Sequence, residues 1–226
     1  MRFRLVMAGI LLVFFSEVAA QDKPFEPEWA FGINGGATLS KISFDSQVRV
    51  PQTNLRQATG GVTVRYISEN HFGLLGELNY SMRGWKEKTD TSYINRYARS
   101  IAYVELPVMT QLYFDLGKQV RLLFNAGTQI SYFLNEKTLE REEYIDQQHG
   151  ERPYYDLPVQ RKFDYGIRGG AGLEFRTAAG SFILDGAYFF GLSDIFDNTR
   201  ADYFQASHNQ VVSIRLTYLV GRGRRL

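Results

Sequence analysis

The sequence predicts an all-β fold in which eight antiparallel strands, in up-and-down order, close into one barrel. Three observations support this prediction. Apolar residues recur at every second position from Ala30 onward, eight such segments follow one another, and their connections alternate between short and long. A period of two gives a strand two different faces and does not suit a helix. Eight strands are enough to close a barrel.

The first four segments each show an apolar face opposite a polar face, because alternate side chains of a strand point to opposite sides. Given with apolar residues before polar ones, they are about 30–40 (Phe31, Ile33, Leu39; Asn34, Thr38), about 57–68 (Val62, Val64, Tyr66; Thr63, Arg65), about 71–85 (Phe72, Leu74, Leu78; Glu77, Asn79) and about 99–114 (Val104, Leu106, Phe114; Glu105, Gln111). Pro107, inside the fourth segment, has no backbone N–H to donate, so we expect a local bulge there.

The last four segments repeat the pattern. They are about 119–134 (Leu122, Phe124, Ile130; Arg121, Asn125, Gln129), about 163–176 (Tyr165, Ile167, Phe175; Arg168, Glu174, Arg176), about 181–193 (Phe182, Leu184, Tyr188; Asp185, Ser193) and about 209–220 (Val212, Ile214, Leu216; Ser213, Arg215, Thr217). The glycine-rich run from Gly166 to Gly172 lies inside a strand and opens no helix, so it does not indicate a nucleotide site.

The connections between the segments differ in length in a regular way. The short ones lie near Glu69-Asn70, 115–118 and 177–180, and the long, polar ones span about 41–56, 86–98, 135–162 and 194–208. Successive connections of a meander fall at opposite ends of the barrel, so all the short turns share one end. Short periplasmic turns and long extracellular loops are typical of outer-membrane barrels.

Alternation alone does not say which face lies inside. A secreted, lipocalin-like barrel would turn its apolar face inward around a ligand, whereas a transmembrane barrel turns it outward against lipid. Aromatic residues favour the membrane, since seven of the eight segments carry one on the apolar face at the short-turn end, as an interfacial girdle would. The predicted aromatic girdle consists of Phe31, Tyr66, Phe72, Phe114, Phe175, Phe182 and Tyr218.

The polar face, which would then line the lumen, carries both signs of charge. Its predicted charge network, with a structural role, consists of Arg65, Glu77, Glu105, Arg168, Glu174, Asp185 and Arg215. We expect Asp185 and Arg215 to pair, because they lie at matching distances from the short-turn end of neighbouring strands. Glu77 and Glu105 could form an acid/base pair, but the surrounding arginines favour structural salt bridges.

The composition is that of a folded protein and excludes several function classes. Of the 226 residues, 44% are hydrophobic and 15% are aromatic, and 26 Lys and Arg against 24 Asp and Glu give a formal net charge of +2. This balance lacks the positive excess of a nucleic-acid-binding protein. Cysteine is absent, which excludes disulfides, thiolate metal sites and thiol nucleophiles.

Residues 1–20 are expected to form a signal peptide. Arg2 and Arg4 precede an apolar run over 5–15, and Val18-Ala19-Ala20 supplies the small residues of a cleavage site. We expect cleavage after Ala20 and a single barrel domain over 21–226. No later segment reaches the roughly 18 apolar residues that a membrane helix needs.

The sequence gives no support for a catalytic, cofactor or metal site. His71, His149 and His208 fall on different parts of the predicted topology, so they cannot share one metal. Ser207-His208 with Asp194 or Asp197 lacks the motif and spacing of a hydrolase. We therefore expect no catalytic residues, no cofactor and no metal.

Several motifs together resemble the PorT-like outer-membrane β-barrel proteins of Bacteroidota. They are Phe31-Gly32-Ile33-Asn34-Gly35-Gly36, Gly76-Glu77-Leu78-Asn79-Tyr80-Ser81 with Gly84, Tyr103-Val104-Glu105-Leu106-Pro107, Phe163-Asp164-Tyr165-Gly166 through Gly172-Leu173-Glu174, Tyr188-Phe189-Phe190-Gly191-Leu192 and the closing strand. The resemblance implies an eight-stranded outer-membrane barrel in a family whose founding member is associated with protein secretion. One departure is that the chain continues past Tyr218 into a basic tail over 221–226 instead of ending on an aromatic residue.

We therefore expect a non-enzymatic integral outer-membrane protein, a membrane anchor that presents extracellular loops and has a lumen filled with side chains. One alternative is an accessory subunit of a protein secretion or surface-assembly complex. Another is an outer-membrane enzyme acting on lipid or peptide. The expected partners are outer-membrane lipid, the barrel assembly machinery during biogenesis, and a possible protein partner at the loops, of which 135–162 is the longest.

Overall fold

The computed structural model describes residues 25–45, 52–87, 96–142, 155, 157–196 and 206–221. Within these ranges the chain forms nine strands: β1 Glu28–Asp45, β2 Gln52–Thr53, β3 Leu55–Glu69, β4 Phe72–Glu87, β5 Arg96–Asp115, β6 Val120–Glu142, β7 Phe163–Thr177, β8 Gly180–Asp194 and β9 Ala206–Gly221. The described residues contain no helix long and apolar enough to cross a membrane. The predicted signal peptide lies outside the described residues.

The strands form one antiparallel sheet that closes on itself. Each long strand pairs with its neighbours in sequence, β1 also pairs with β9, and β4 pairs with β5. Around β1 the register places Ala37 opposite Ala58 on β3 and opposite Ile214 on β9. The all-β, antiparallel, up-and-down ring predicted from the sequence is thereby confirmed.

The predicted count of eight differs from the observed nine by β2. Gln52 and Thr53 pair with Glu87 and Lys86 of β4, and Asn54 alone separates this short strand from β3. Because β2 has two residues and falls in a polar stretch, it carries no alternation that a sequence pattern can detect. The ring itself is formed by the other described strands.

Several strands also extend further than the sequence indicated. β6 was expected to end near 134 and continues to Glu142, where it pairs with Arg96 of β5. Its last pair with β7 is Tyr132 with Phe163, so the ends of β5 and β6 project beyond the rest of the ring. Polar residues dominate this extension, which is why hydrophobic periodicity missed it.

Pro107 does not cause the bulge that was expected. β4 and β5 keep one register on both sides of it, from Gly76 opposite Val108 to Asn79 opposite Glu105, and the intervening positions are simply unpaired. On its other side Pro107 faces Gln129 of β6 without a register shift. The ladder tolerates the missing donor by losing pairs locally, not by inserting a residue.

The two ends of the ring are different. The turns at 70–71, 116–119 and 178–179 lie at one end, together with the start of β1 and the end of β9, and we call this the short-turn end. The connections that include 46–51, 88–95, 143–154 and 197–205 leave from the opposite, long-loop end. At the first turn His71 adopts a φ of 68°, and its Nδ1 lies 2.9 Å from the carbonyl oxygen of Tyr113.

Burial alternates along the strands and places the polar faces inside. On β4, Leu78 is 51% exposed, whereas its neighbours Glu77 and Asn79 are 3% and 1% exposed. The same alternation runs along β7, β8 and β9, so the apolar faces together form an outward band. This orientation is the one expected of a membrane barrel and the reverse of a lipocalin-like ligand carrier.

Clusters of apolar side chains lie inside the barrel at both ends. At the long-loop end a cap of buried residues consists of Ile42, Trp85, Tyr97, Ile101, Tyr103, Tyr155, Val159, Ile195 and Phe196. At the short-turn end a second cluster consists of Ala30, Ile67, Tyr113, Leu123, Ile183 and Leu219. Buried charged side chains lie between these two clusters and also within them, as Arg99 does beside Trp85 and Tyr97 of the cap.

Candidate functional site

The site that concentrates polar chemistry is the lumen. All seven residues of the predicted charge network occupy inward positions on β3, β4, β5, β7, β8 and β9, and none is more than 6% exposed. Because charges buried this deeply need partners, their geometry shows what holds the inside of the barrel together.

Arg215 is the centre of the network. Its Nη2 lies 2.9 Å from Oδ2 of Asp185, which faces it directly across β8 and β9, and its Nη1 donates to Oε2 of Glu77. Glu77 belongs to β4, which β1 and β3 separate from β9 in the ring, so this contact crosses the lumen. Asn79 also donates to Glu77, over 2.8 Å.

Glu105 links two further arginines on the long-loop side. Oε2 of Glu105 lies 3.9 Å from Nη1 of Arg168, and Oε1 lies 3.4 Å from Nη1 of Arg83. Arg168 also donates to Gln129 over 2.9 Å and to Ser213 over 3.0 Å. These bonds tie β5, β6, β7 and β9 together through side chains, in addition to the backbone ladder.

Arg83 and Asp164 belong to the same network. The sequence places Arg83 on the polar face of the third segment, but the predicted charge network includes neither residue. Nη2 of Arg83 lies 2.6 Å from Oδ2 of Asp164, and the Arg83 guanidinium stacks 3.8 Å above the ring of Tyr103. Asp164 also accepts hydrogen bonds from Ser193 and Asn209. The inward position of both residues follows from the alternation, since Arg83 is in phase with Glu77 on β4 and Asp164 is in phase with Arg168 on β7.

A separate group lies toward the short-turn end. Nη2 of Arg65 is 2.8 Å from Oε1 of Glu174, and Nη1 of Arg121 is 4.0 Å from Oε2 of the same carboxylate. Arg121 also pairs with Asp115 over 2.7 Å and lies 4.3 Å above the ring of Tyr113. This second group of ion pairs thus extends from the lumen to the rim at this end.

A small cavity of about 10 Å³ lies beside Arg168, and its lining consists of Thr38, Thr59, Ser81, Glu105, Gln129, Arg168, Phe189, Val211 and Ser213. A cavity needs roughly 10–15 Å³ of such space to hold one water molecule. This space therefore accommodates about one water and no larger ligand.

The predicted girdle residues lie on the outward face at the short-turn end. Phe31, Phe175 and Phe182 are exposed, and the other four are half-exposed, with the ring centroids of Phe182 and Tyr218 4.9 Å apart. Trp29, which the sequence reasoning missed, is also exposed there and lies 4.6 Å from Tyr66. Trp29 lies two residues before Phe31 on β1, so the alternation predicts that it also faces outward.

The hydrolase arrangement considered from the sequence is not formed. Ser207 points inward, where its Oγ accepts from the backbone N–H groups of Ile195 and Phe196, whereas the adjacent His208 points outward. Nδ1 of His208 lies 3.8 Å from Oδ1 of Asp194. Asp197 and His149 lie outside the described residues, and no cluster within the described ranges has the make-up of a metal site.

Comparison with solved structures finds outer-membrane proteins of low sequence identity. The attachment invasion locus protein Ail of Yersinia pestis, solved with the heparin analogue sucrose octasulfate, is 13% identical at a TM-score of 0.38, over 85% of this chain and 99% of Ail. Neisserial surface protein A is 14% identical at 0.41, over 84% and 97%. The outer membrane protein AlkL, solved in DMPC bilayers, is 11% identical at 0.43, over 92% and 97%. A comparison with curated proteins finds no match.

The sequence also matches a family model over most of its length. The model describes the outer membrane protein beta-barrel domain and matches residues 19–197. This range contains β1 through β8 and six of the seven predicted network residues, and it ends before β9 and Arg215. The protein therefore belongs to the outer membrane protein beta-barrel domain family, whose location is the outer membrane.

Proposed function

We propose that the protein is a non-enzymatic anchor in the outer membrane, whose barrel presents extracellular loops and whose lumen is a packed plug. The observation that carries this proposal is the combination of an apolar outer surface with an interior of mutually paired charges. A barrel built this way is stable in lipid but offers no route through its centre.

The orientation follows from the difference between the two ends. Outer-membrane barrels have short periplasmic turns and long extracellular loops, so the short-turn end faces the periplasm. The aromatic girdle then lies at the periplasmic interface, where aromatic rings are favoured at the level of the headgroups. Outer-membrane lipid is the first partner in this proposal, and the barrel assembly machinery is a transient one.

The packing of the lumen supports a role other than conduction. Apolar clusters lie inside both ends, and between them Arg215 and Glu77 meet from opposite walls. Opening a channel would require several buried ion pairs to separate, each leaving an uncompensated charge. We expect the lumen charges to act as structural cross-links between strands.

The non-enzymatic part of the proposal rests on how the candidate groups are used. Glu77 and Glu105 are both engaged by arginines, so neither is placed as a free acid or base. Ser207 and His208 point to opposite sides of β9. A nucleophile and its base need to lie within hydrogen-bond reach of each other.

A second candidate is an accessory subunit of a secretion or surface-assembly complex. The projecting ends of β5 and β6, where Arg96 pairs with Glu142, favour it because they extend a structured wall beyond the ring. The PorT-like resemblance points the same way. Affinity purification in mild detergent tests it, since a subunit would bring down partners in fixed stoichiometry.

Fractionation and conductance together test the anchor proposal. We expect the protein in the outer-membrane fraction, with the shift on unboiled electrophoresis that folded barrels show, and no stable conductance in planar bilayers. Recovery as a soluble periplasmic protein would contradict the membrane assignment. Steady single-channel currents from the folded protein would contradict the plugged lumen.

A further inference from the structure

Two exposed cations lie next to each other on the outer surface near the long-loop end. Lys41 on β1 and Arg56 on β3 both occupy outward positions, and Arg56 is the direct partner of Leu39, two positions before Lys41. Diagonal neighbours of this kind on adjacent strands have Cα atoms about 7–8 Å apart, with somewhat shorter Cβ separations. Neither side chain forms an ion pair in the described part of the chain. We call these two residues the basic patch.

The basic patch lies where the apolar band ends. Leu39 pairs with Arg56 on one side and with Val212 of β9 on the other, and Val212 pairs in turn with Tyr188 of β8. Val212 and Tyr188 are both exposed on the outward face. Two residues further toward the long-loop end, Lys41 pairs with Gln210 of β9. On β1 and β9 the outward surface thus changes from apolar to polar at the patch, as expected at the level of lipid headgroups.

Charge is distributed differently at the two ends of the barrel. Among the described residues of the long-loop end, the half-exposed Glu140 and the exposed Glu142 are paired with Lys86 and Arg96. The exposed cations without an ion pair there are Lys41, Arg56, Lys137 and Lys162. At the short-turn end, within the same described ranges, the carboxylates without a cation are Glu26, Glu28 and Glu69, against Lys118 as the unpaired cation.

We propose that Lys41 and Arg56 bind a phosphate group of an anionic, phosphorylated lipid in the outer leaflet. The proposal rests on the membrane orientation proposed above. Arg binds phosphate through two parallel N–H donors and Lys adds a compact second charge, while Val212 and Tyr188 offer an apolar surface to the acyl chains. A membrane lipid fits this surface better than a soluble polyanion, because the cations border the apolar band.

The test measures binding of diphosphoryl lipid A to the folded full chain in detergent by native mass spectrometry. We expect Lys41→Gln with Arg56→Gln to weaken binding about 25-fold, because each cation near an anionic lipid surface contributes about fivefold. The matched control is Lys137→Gln with Lys162→Gln, which removes the same charge at the same end and should retain wild-type affinity. Lipid A from which the phosphates have been removed should bind the wild type about as weakly as diphosphoryl lipid A binds the Lys41/Arg56 variant.

Equal binding by the wild type and the Lys41/Arg56 variant would overturn the proposal. An equal loss of affinity in the Lys137/Lys162 control would also overturn it, since the total positive charge of the long-loop end would then account for the binding. Both variants should still fractionate with outer membranes, because exposed substitutions have small effects on folding. If the wild-type protein does not fractionate with the outer membrane, the proposed function itself is contradicted. Fractionation measures this outcome independently of lipid binding.

Discussion

Asp185 and Arg215 face each other directly across β8 and β9, with Oδ2 of Asp185 2.9 Å from Nη2 of Arg215. The same guanidinium also donates to Glu77 from the opposite wall of the lumen. One arginine therefore neutralises two carboxylates that belong to distant strands. This asymmetry means that the three residues should not be equally sensitive to substitution.

We predict that Arg215→Met destabilises the barrel more than Asp185→Asn does. Loss of Arg215 leaves two buried carboxylates without their main partner, and breaking a buried pair costs about 3–5 kcal/mol. In Asp185→Asn the guanidinium still pairs with Glu77, so the free energy of unfolding should fall less. Urea unfolding in detergent measures both, with Ile214→Val on the outward face of β9 as the mild control.

Charge reversal should rescue this pair only in part. Asp185→Arg combined with Arg215→Asp restores attraction across β8 and β9, but the new carboxylate then faces Glu77. The double variant should be more stable than the sum of the two single losses implies, yet below the wild type. Purely additive losses would show that the pair contributes nothing to stability.

Gly127 on β6 is predicted to reject any side chain. A Cβ at this position would lie 2.1 Å from the carbonyl oxygen of Val108 and 2.5 Å from Cα of Met109, so β5 and β6 would have to separate. Gly76 is the matched control, because a Cβ there meets no heavy atom within 4 Å. On unboiled electrophoresis, Gly127→Ala should lose the folded band and Gly76→Ala should keep it. Equal yields would contradict the close approach.

Tyr155 tests the cap at the long-loop end. Its ring stacks on Tyr97 with centroids 3.9 Å apart, and its hydroxyl donates to Glu87 over 2.8 Å. Tyr155→Phe keeps the stack and should cost about 1.5–3 kcal/mol, because the lost hydrogen bond goes to the buried carboxylate of Glu87. Tyr155→Ala removes both and should cost about 3–5 kcal/mol, as for other large buried rings. Similar unfolding free energies for the two variants would show that the stacking does not stabilise the cap.

Much of the strand pattern was readable from the sequence for one physical reason. Each long strand turns one face outward and the other into the lumen, so a period of two survives along its length. Leu78 between Glu77 and Asn79 is typical, and the structure places these residues outside and inside as their types suggest. At Arg83 the alternation predicts an inward position, but it does not predict the partner, Asp164.

The cap and the contacts across the lumen could not be predicted, because no periodicity in the sequence encodes them. Tyr155 and Val159 enter the cap from a connection without regular alternation, and their burial depends on Tyr97 far away in sequence. Pairing across the lumen, such as Arg215 with Glu77, depends on barrel diameter and strand stagger. Hydrophobic patterning fixes which side a residue faces but not how far its side chain reaches.

The outward band gives the last prediction. Leu78 and Leu216 are exposed on outward faces, so each contacts lipid if the barrel spans the membrane as proposed. Leu78→Arg and Leu216→Arg should each cost about 2–4 kcal/mol near the bilayer midplane. Leu116→Arg is the matched control, since Leu116 is at least as exposed but lies in the short turn after β5. Refolding yields into lipid vesicles should fall for the first two and stay at the wild-type level for the third. If all three refold equally well, the exposed apolar band does not contact the hydrocarbon core. If all three fail, a new exposed cation is harmful wherever it lies, and the loss would say nothing about lipid.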